Sequence, residues 1–322
     1  METLQVILFG HVNVVHPHAL TSLKLSRGIQ SLLAYLLLHN HPVAREVLMD
    51  VFWMDASPDR ARSSLTTALC RLRQTLEPEG IPHGAYLITG SAGEVGFNWQ
   101  SDHWLDTKAF EQRIYPLLRK PTVEINDQDI REIEGVLTLY RGELLEGMYD
   151  DWALRERERF RSLHLNCLTR LMECYASRGE FEQSIALAHE ILRRDPVREE
   201  IHRALMRIYL ESGQRSLAVR QYIHCRDILD QELGVSPLEE TQLLYQGICM
   251  HSQAGGRETA GLASSAEVAQ LVHEMQMARQ SLVEAARVLE RINKSINSLA
   301  RVDDPSSLVT GSSRSQPVPP RL

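Results

Sequence analysis

Leu171-Met172, Tyr175 and Gly179 recur as Leu205-Met206, Tyr209 and Gly213, every one 34 residues further on. No other feature of the chain limits its folds so tightly. A period of that length is one helix-turn-helix unit, whose apolar face stays open until a neighbouring unit stacks on it. Ser184 maps onto Ala218, small residues where two helices must approach closely, and Asp195-Pro196 closes the first unit. The pattern reads as helical from Trp104 to about Met250, with few strand signals, and Ile130–Tyr140 and Asp151–Ser177 offer further helices to the stack. Trp104, Trp152 and the repeat tyrosines read as core rather than as ligand-stacking groups.

The first hundred residues follow a different rule. Leu4–Leu8 and Val12–Val14 alternate as short strands with Gly10 as a possible bulge between them, and Leu23 and Leu25 suggest a third strand. Gly28–His39 carries Ile29, Leu32, Leu33, Leu36 and Leu37 on one helical face and stops at Asn40-His41-Pro42. A short helix covers Arg45–Trp53. Ser57-Pro58 then starts a third, with Ser as N-cap and Pro at the first helical position, and Glu77-Pro78 ends it. Tyr86–Thr89 and Val95–Phe97 flank a glycine-rich tip and predict a hairpin.

On a wheel of 100° per residue the third helix separates cleanly. Ala61, Leu65, Ala68, Leu69, Leu72 and Leu76 form the apolar stripe. Arg60, Ser63, Ser64, Thr67, Cys70, Arg71 and Gln74 lie opposite, and Arg62, Thr66 and Arg73 flank the stripe. The net charge of −7 argues against a uniformly basic surface, yet it is unevenly spread: residues 1–100 carry seven Lys/Arg against eight Asp/Glu, residues 101–250 carry 20 against 27, and residues 251–322 carry eight against seven. Within the near-neutral first segment, residues 60–73 hold four arginines and no acid. Two readings fit this face. It is a solvated surface in an arginine-rich stretch, or it is shaped for a DNA major groove, with small hydroxyls allowing close approach and arginines reaching guanine edges or phosphates.

The stretch Leu33–His39, then Pro42–Leu48, Phe52-Trp53 and Arg62–Arg73, resembles the winged helix of the Streptomyces antibiotic regulatory protein (SARP) family, which is related to the OmpR-type DNA-binding domain. Tyr140–Trp152 with Arg155–Arg159, Gly179–Ile185 and Glu232–Pro237 resemble the bacterial transcriptional activator domain that follows it in that family. The 34-residue unit is that of tetratricopeptide (TPR) repeats. The resemblance covers residues 4–250 in the family's order. It implies that the third helix enters the major groove, that Thr67 and Arg71 face bases, and that Ser63, Ser64 and Arg73 lie near phosphates; the helix face itself adds Arg62 to the phosphate contacts and Arg60 and Thr66 to the DNA-binding set. The resemblance also implies direct-repeat promoter sites and contact with RNA polymerase. This chain departs from the pattern at Cys70 and at a wing tip, Gly90 to Gly96, that has no Lys or Arg.

The expected architecture is therefore mainly α. A winged helix-turn-helix of α+β type spans residues 1–100 and an all-α TPR-like activator domain 101–250. A flexible linker covers 251–265, a coiled-coil helix 266–301, and a disordered Ser/Pro-rich tail 302–322. The coiled coil rests on a 3,4 spacing from Val268 to Leu299, with Leu271, Met275, Leu282, Leu289, Ile292, Ile296 and Leu299 in the seam, and predicts a homodimer. The Arg155–Arg161 run is broken by Glu156 and Glu158, the spacing of a paired helix face rather than a second DNA site. No P-loop, nucleophile elbow or metal-ligand spacing occurs, so neither catalysis nor a cofactor nor a metal is expected. Five widely spaced cysteines give no disulfide framework. No apolar run is long enough for a membrane span, and no secretory leader is read, which predicts a cytoplasmic, nucleoid-associated protein. The function expected is a sequence-specific regulator, an activator on double-stranded promoter DNA. The alternative is a TPR-type interaction scaffold with a winged helix that no longer binds DNA.

Overall fold

A computed structural model describes residues 3–16, 23–91 and 93–254. The predicted linker beyond 254, the coiled-coil seam and the tail lie outside the described residues.

The N-terminal part opens with β1 (Leu4–Ile7) and β2 (Asn13–Val15), an antiparallel pair in which Val6 faces Val14. Gly10 turns the chain between them at a φ of 85°. Three helices follow: α1 (Arg27–Leu38), α2 (Arg45–Trp53) and α3 (Pro58–Leu76). The hairpin comes next as β3 (Leu87–Thr89) and β4 (Val95–Phe97). The start of α3 is where Ser57-Pro58 puts it, although the Ser57 side chain makes no capping hydrogen bond.

Two strand expectations are corrected. Leu23 and Leu25 form no strand, although Leu23 N–H donates to the Val14 carbonyl at 2.8 Å. The third strand is instead β5 (His103–Leu105), which pairs in parallel with β1, Gln5 opposite Trp104, giving the order β2-β1-β5. The helical reading from Trp104 onward is thus wrong at its first residues. Trp104 is also 36% exposed on this strand and is not core.

The helical part is α4 (Asp106–Arg119), α5 (Asp127–Leu137), α6 (Asp151–Ser177), α7 (Phe181–Arg194), α8 (Glu199–Glu211), α9 (Arg215–Leu233) and α10 (Glu239–Ala254). The repeat signs are structural. Gly179 and Gly213 each turn the chain at a φ of 75°, where a side chain would be strained, and Ser184 and Ala218 are fully buried. Met172, Ile191, Leu205, Met206, Tyr209 and Ala218 belong to one core shared by the stacked units.

A second core runs without a break from Leu4 through α1 and α3 to Leu163, Leu171 and Cys174 on α6, so the winged helix and the first activator helices pack as one layer system. Three devices fix that joint. The buried Asp106 carboxylate accepts the N–H groups of Leu8 and Phe9 at 2.8–2.9 Å and that of Thr107 at 2.7 Å. Burial pushes its pKa up while these N–H donors pull it back. The loop between α5 and α6 lies along the end of β1: Gly10 N–H donates to Glu143, and Leu145 N–H to Leu8. Arg157 on α6 then holds that loop by donating to the carbonyls of Leu144, Leu145 and Met148 at 2.6–2.8 Å. The Tyr140–Trp152 motif is therefore a mechanical part, joining the two domains.

Candidate nucleic-acid interface

The apolar stripe of α3 is buried as its spacing requires: Ala61, Leu65, Leu69, Leu72 and Leu76 are inside, with Ala68 half-buried. The opposite face is open. Arg60, Arg62, Ser63, Thr66, Thr67, Cys70, Arg71 and Gln74 are exposed, and Ser64 is half-buried. The Thr66 and Thr67 hydroxyls donate back to the carbonyls of Arg62 and Ser63 at 2.8 and 2.9 Å, which keeps both side chains close to the helix surface.

The arginines divide into two kinds. The guanidinium groups of Arg60 and Arg71 make no ion pair and no hydrogen bond among the described residues. Arg62 reaches Asp59 at 3.8 Å across an exposed surface, a contact of little energetic weight. Arg73 is different. It is half-buried, donates to the Leu87 carbonyl at 3.2 Å and lies 3.4 Å from the Glu77 carboxylate. Its guanidinium is committed to the hairpin.

Glu77, read in the sequence only as the end of a helix, organises the base of the wing. Its carboxylate accepts the N–H groups of Gly84, Tyr86 and Leu87 at 3.1, 2.8 and 2.9 Å. The other side of the hairpin is fixed to the approach of α2. Val43 and Val95 exchange two backbone hydrogen bonds of 2.8 Å, and Arg45 Nε donates to the Gly93 carbonyl at 3.1 Å. A Cβ at Gly96 would meet the Pro42 backbone at 3.0 Å, so any larger residue would have to push the two segments apart by a few tenths of an ångström. A groove of about 350 Å³ runs beside α3, lined by Thr66, Cys70, Gln74, Arg45 and His83 among others. No sequence pattern singled out Arg45 or His83, because both reach the groove from outside the helix. The hairpin turn itself carries Glu94 and no cation.

Three of the four arginines in the Arg155–Arg161 run on α6 are occupied, whereas Arg155 is exposed and makes no ion pair or hydrogen bond among the described residues. Arg159 pairs with Glu111 at 2.5 Å and with Glu156 at 2.8 Å. Arg161 lies 3.6 Å from Glu158 and donates to the Arg194 carbonyl at 2.5 Å. Among the described residues no group of His, Cys, Asp and Glu side chains could hold a metal ion, and no helix is long and apolar enough to cross a membrane.

The described chain thus sets three open arginines and two threonines on one hairpin-braced helix ahead of a stack of helical repeats. Comparison with known proteins supplies the class. Residues 105–249 match the bacterial transcriptional activator domain family. The chain is similar to the transcriptional regulatory protein MoaR1 of Mycobacterium tuberculosis, with 28% identity over 230 residues, 68% of this chain and 71% of that protein. It is also similar to the regulatory protein AfsR of Streptomyces coelicolor, with 27% identity over 240 residues, which is 74% of this chain but 23% of AfsR. Its fold matches that of M. tuberculosis EmbR, solved with a low-affinity phosphopeptide, at a TM-score of 0.68 and 18% identity, covering 87% of this chain and 72% of that one. The chain is a transcription regulator with a bacterial transcriptional activator domain. In this it is similar to the SARP-type regulators.

Proposed function

We propose that the chain binds double-stranded promoter DNA through the outer face of α3 and acts there as an activator that contacts RNA polymerase. The observation that carries this reading is the state of Arg60 and Arg71: exposed, unpaired among the described residues, and standing beside hydroxyls short enough to let a helix enter a major groove. Thr67 and Arg71 read bases. Arg60, Arg62, Ser63, Ser64 and Thr66 hold phosphates, with Arg45 and His83 added from the flank. Arg73 serves this surface indirectly, by holding the hairpin against α3. Direct-repeat sites and a dimer joined by the Leu271–Leu299 seam belong to the same reading.

A gel-shift comparison of the wild-type chain and Arg71→Ala on a cognate promoter tests it. The variant should lose about 1–3 kcal/mol at one base position and discriminate less there. Unchanged affinity and specificity would sink the role. The cation-free hairpin tip supports the scaffold reading instead, and a genome-wide DNA pull-down that enriches no motif would favour it. Deleting residues 266–300 should shift the protein toward monomer in light scattering, and an unchanged mass would remove the seam from the dimer.

A further inference from the structure

A second polar-aromatic site lies on the joint between the winged helix and α4. A cavity of about 480 Å³ is lined by Asn40 from the turn after α1, Trp99 from the segment leaving the hairpin, His103 and Trp104 on β5, and Lys108 and Gln112 on α4. A smaller one of about 230 Å³ adjoins it, sharing Asn40, Leu105 and Lys108. The larger volume falls in the range of small-molecule pockets, and the lining is mixed, two indole rings set among Asn40, His103, Lys108 and Gln112.

Three details point to what fits there. Lys108 has no carboxylate partner among the described residues. Its ammonium sits 5.2 Å from the centre of the Trp99 ring and 3.0 Å from Asn40 Oδ1, while the nearby Glu111 is turned to Arg159. A cation held on an indole face and an amide oxygen has room for an anion. Trp104 leaves a large apolar ring 36% exposed on an edge strand, on the open face it shares with its cross-strand partner Gln5. Trp99 Nε1 is buried without a hydrogen-bond partner among the described residues. His103 is held by its Nδ1 against the Ser101 carbonyl at 2.9 Å, which leaves Nε2 as the acceptor of the neutral ring.

We propose that this cavity is a binding site for a small planar aromatic carboxylate, its ring against the indoles and its carboxylate on Lys108. Such a ligand touches the winged helix and the activator domain at once. The proposal stands apart from the DNA surface, since none of its residues lies on α3.

The test uses the full chain with indole-3-acetate and 2-hydroxybenzoate as probes, and with indole and acetate as controls lacking the carboxylate or the ring. A ligand of about a dozen heavy atoms should saturate with a Kd near 1 mM or tighter, and raise the melting temperature. The four tryptophans give four indole N–H signals. Those of Trp99 and Trp104 should move on titration, while those of Trp53 and Trp152 stay. Lys108→Met should weaken the carboxylates about tenfold and bring them level with indole. Trp104→Ala, at an exposed site where folding is not at stake, should do at least as much. No saturable shift with either acid, equal binding of indole and indole-3-acetate, or full affinity in Lys108→Met would each overturn the proposal. Displacement of the probe by duplex DNA would also overturn it, because the cavity would then belong to the nucleic-acid surface.

Discussion

α3 and α6 carry the same count of closely spaced arginines, four in residues 60–73 and four in residues 155–161, and they use most of them in opposite ways. On α6, Arg157 is 13% exposed at its side chain and spends its donors on three backbone carbonyls, Arg159 and Arg161 are paired, and Arg155 alone is exposed without an ion pair or hydrogen bond among the described residues. On α3, Arg60 and Arg71 have nothing to hold among the described residues, and only Arg73 is used internally. Arginine density therefore does not distinguish a binding surface from a structural clamp. The partners each guanidinium finds do, since one already bound to carbonyls or carboxylates has less charge and fewer donors to offer a phosphate.

Removing the arginines one at a time sharpens the contrast. Arg157→Ala should cost the most stability, about 4 kcal/mol, because buried carbonyls of the joint loop lose a charged donor; denaturant unfolding measures it. A loss below about 1 kcal/mol would put α6 in the same class as α3. The buried His164 gives the next effect. Its ring stacks on Tyr140 at 4.0 Å, both nitrogens lack partners among the described residues, and burial lowers its pKa to about 4. The unfolded chain therefore takes up the proton first, and stability falls as pH drops from about 6.5 toward 4, by roughly 3 kcal/mol in full. His164→Phe should flatten that part of the pH–stability curve, and an unchanged slope would contradict the assignment.

Glu77→Gln should cost about 1–2 kcal/mol, since the amide keeps one acceptor oxygen for three N–H groups. It should also speed hydrogen exchange at Gly84, Tyr86 and Leu87 and weaken DNA binding through a loosened hairpin. Arg60→Ala should be the mildest, leaving stability within about 0.5 kcal/mol and lowering the salt slope of DNA binding by about one. If it destabilises the fold as Arg157→Ala does, the two helices do not differ.

What could be read in advance follows from locality. The spans of α2, α3 and α6 agree with their periodicity and caps, since the apolar spacing and Ser57-Pro58 are local signals. The 34-residue repeat announced the turns at Gly179 and Gly213 and the close packing at Ser184 and Ala218. The missed features are all long-range. β5 is three residues long and takes its strand character from a partner nearly a hundred residues upstream. Asp106 looks like an ordinary first-turn acid until β1 arrives over it. Glu77 and Arg157 act on backbone groups, which leave no trace in side-chain spacing. In the candidate interface, the wheel separated inside from outside on α3 but could not tell that Arg73 turns toward the hairpin, because Leu87 enters only through the tertiary fold.

The uninterrupted core from Leu4 to Cys174 also decides how this regulator can be re-engineered. A chimera cut between residues 100 and 101 would strip β1 of its parallel neighbour and leave the Leu8 and Phe9 amides without an acceptor, so its N-terminal half would arrive in the new host half-built. On the proposed function, promoter choice is better transplanted by exchanging only the outward side chains of α3, since a cut after α6 would in turn open the core that Met172 shares with Ile191 and Leu205. Inheritance of specificity and inheritance of architecture are separable in this protein at the level of single side chains, and not at the level of domains.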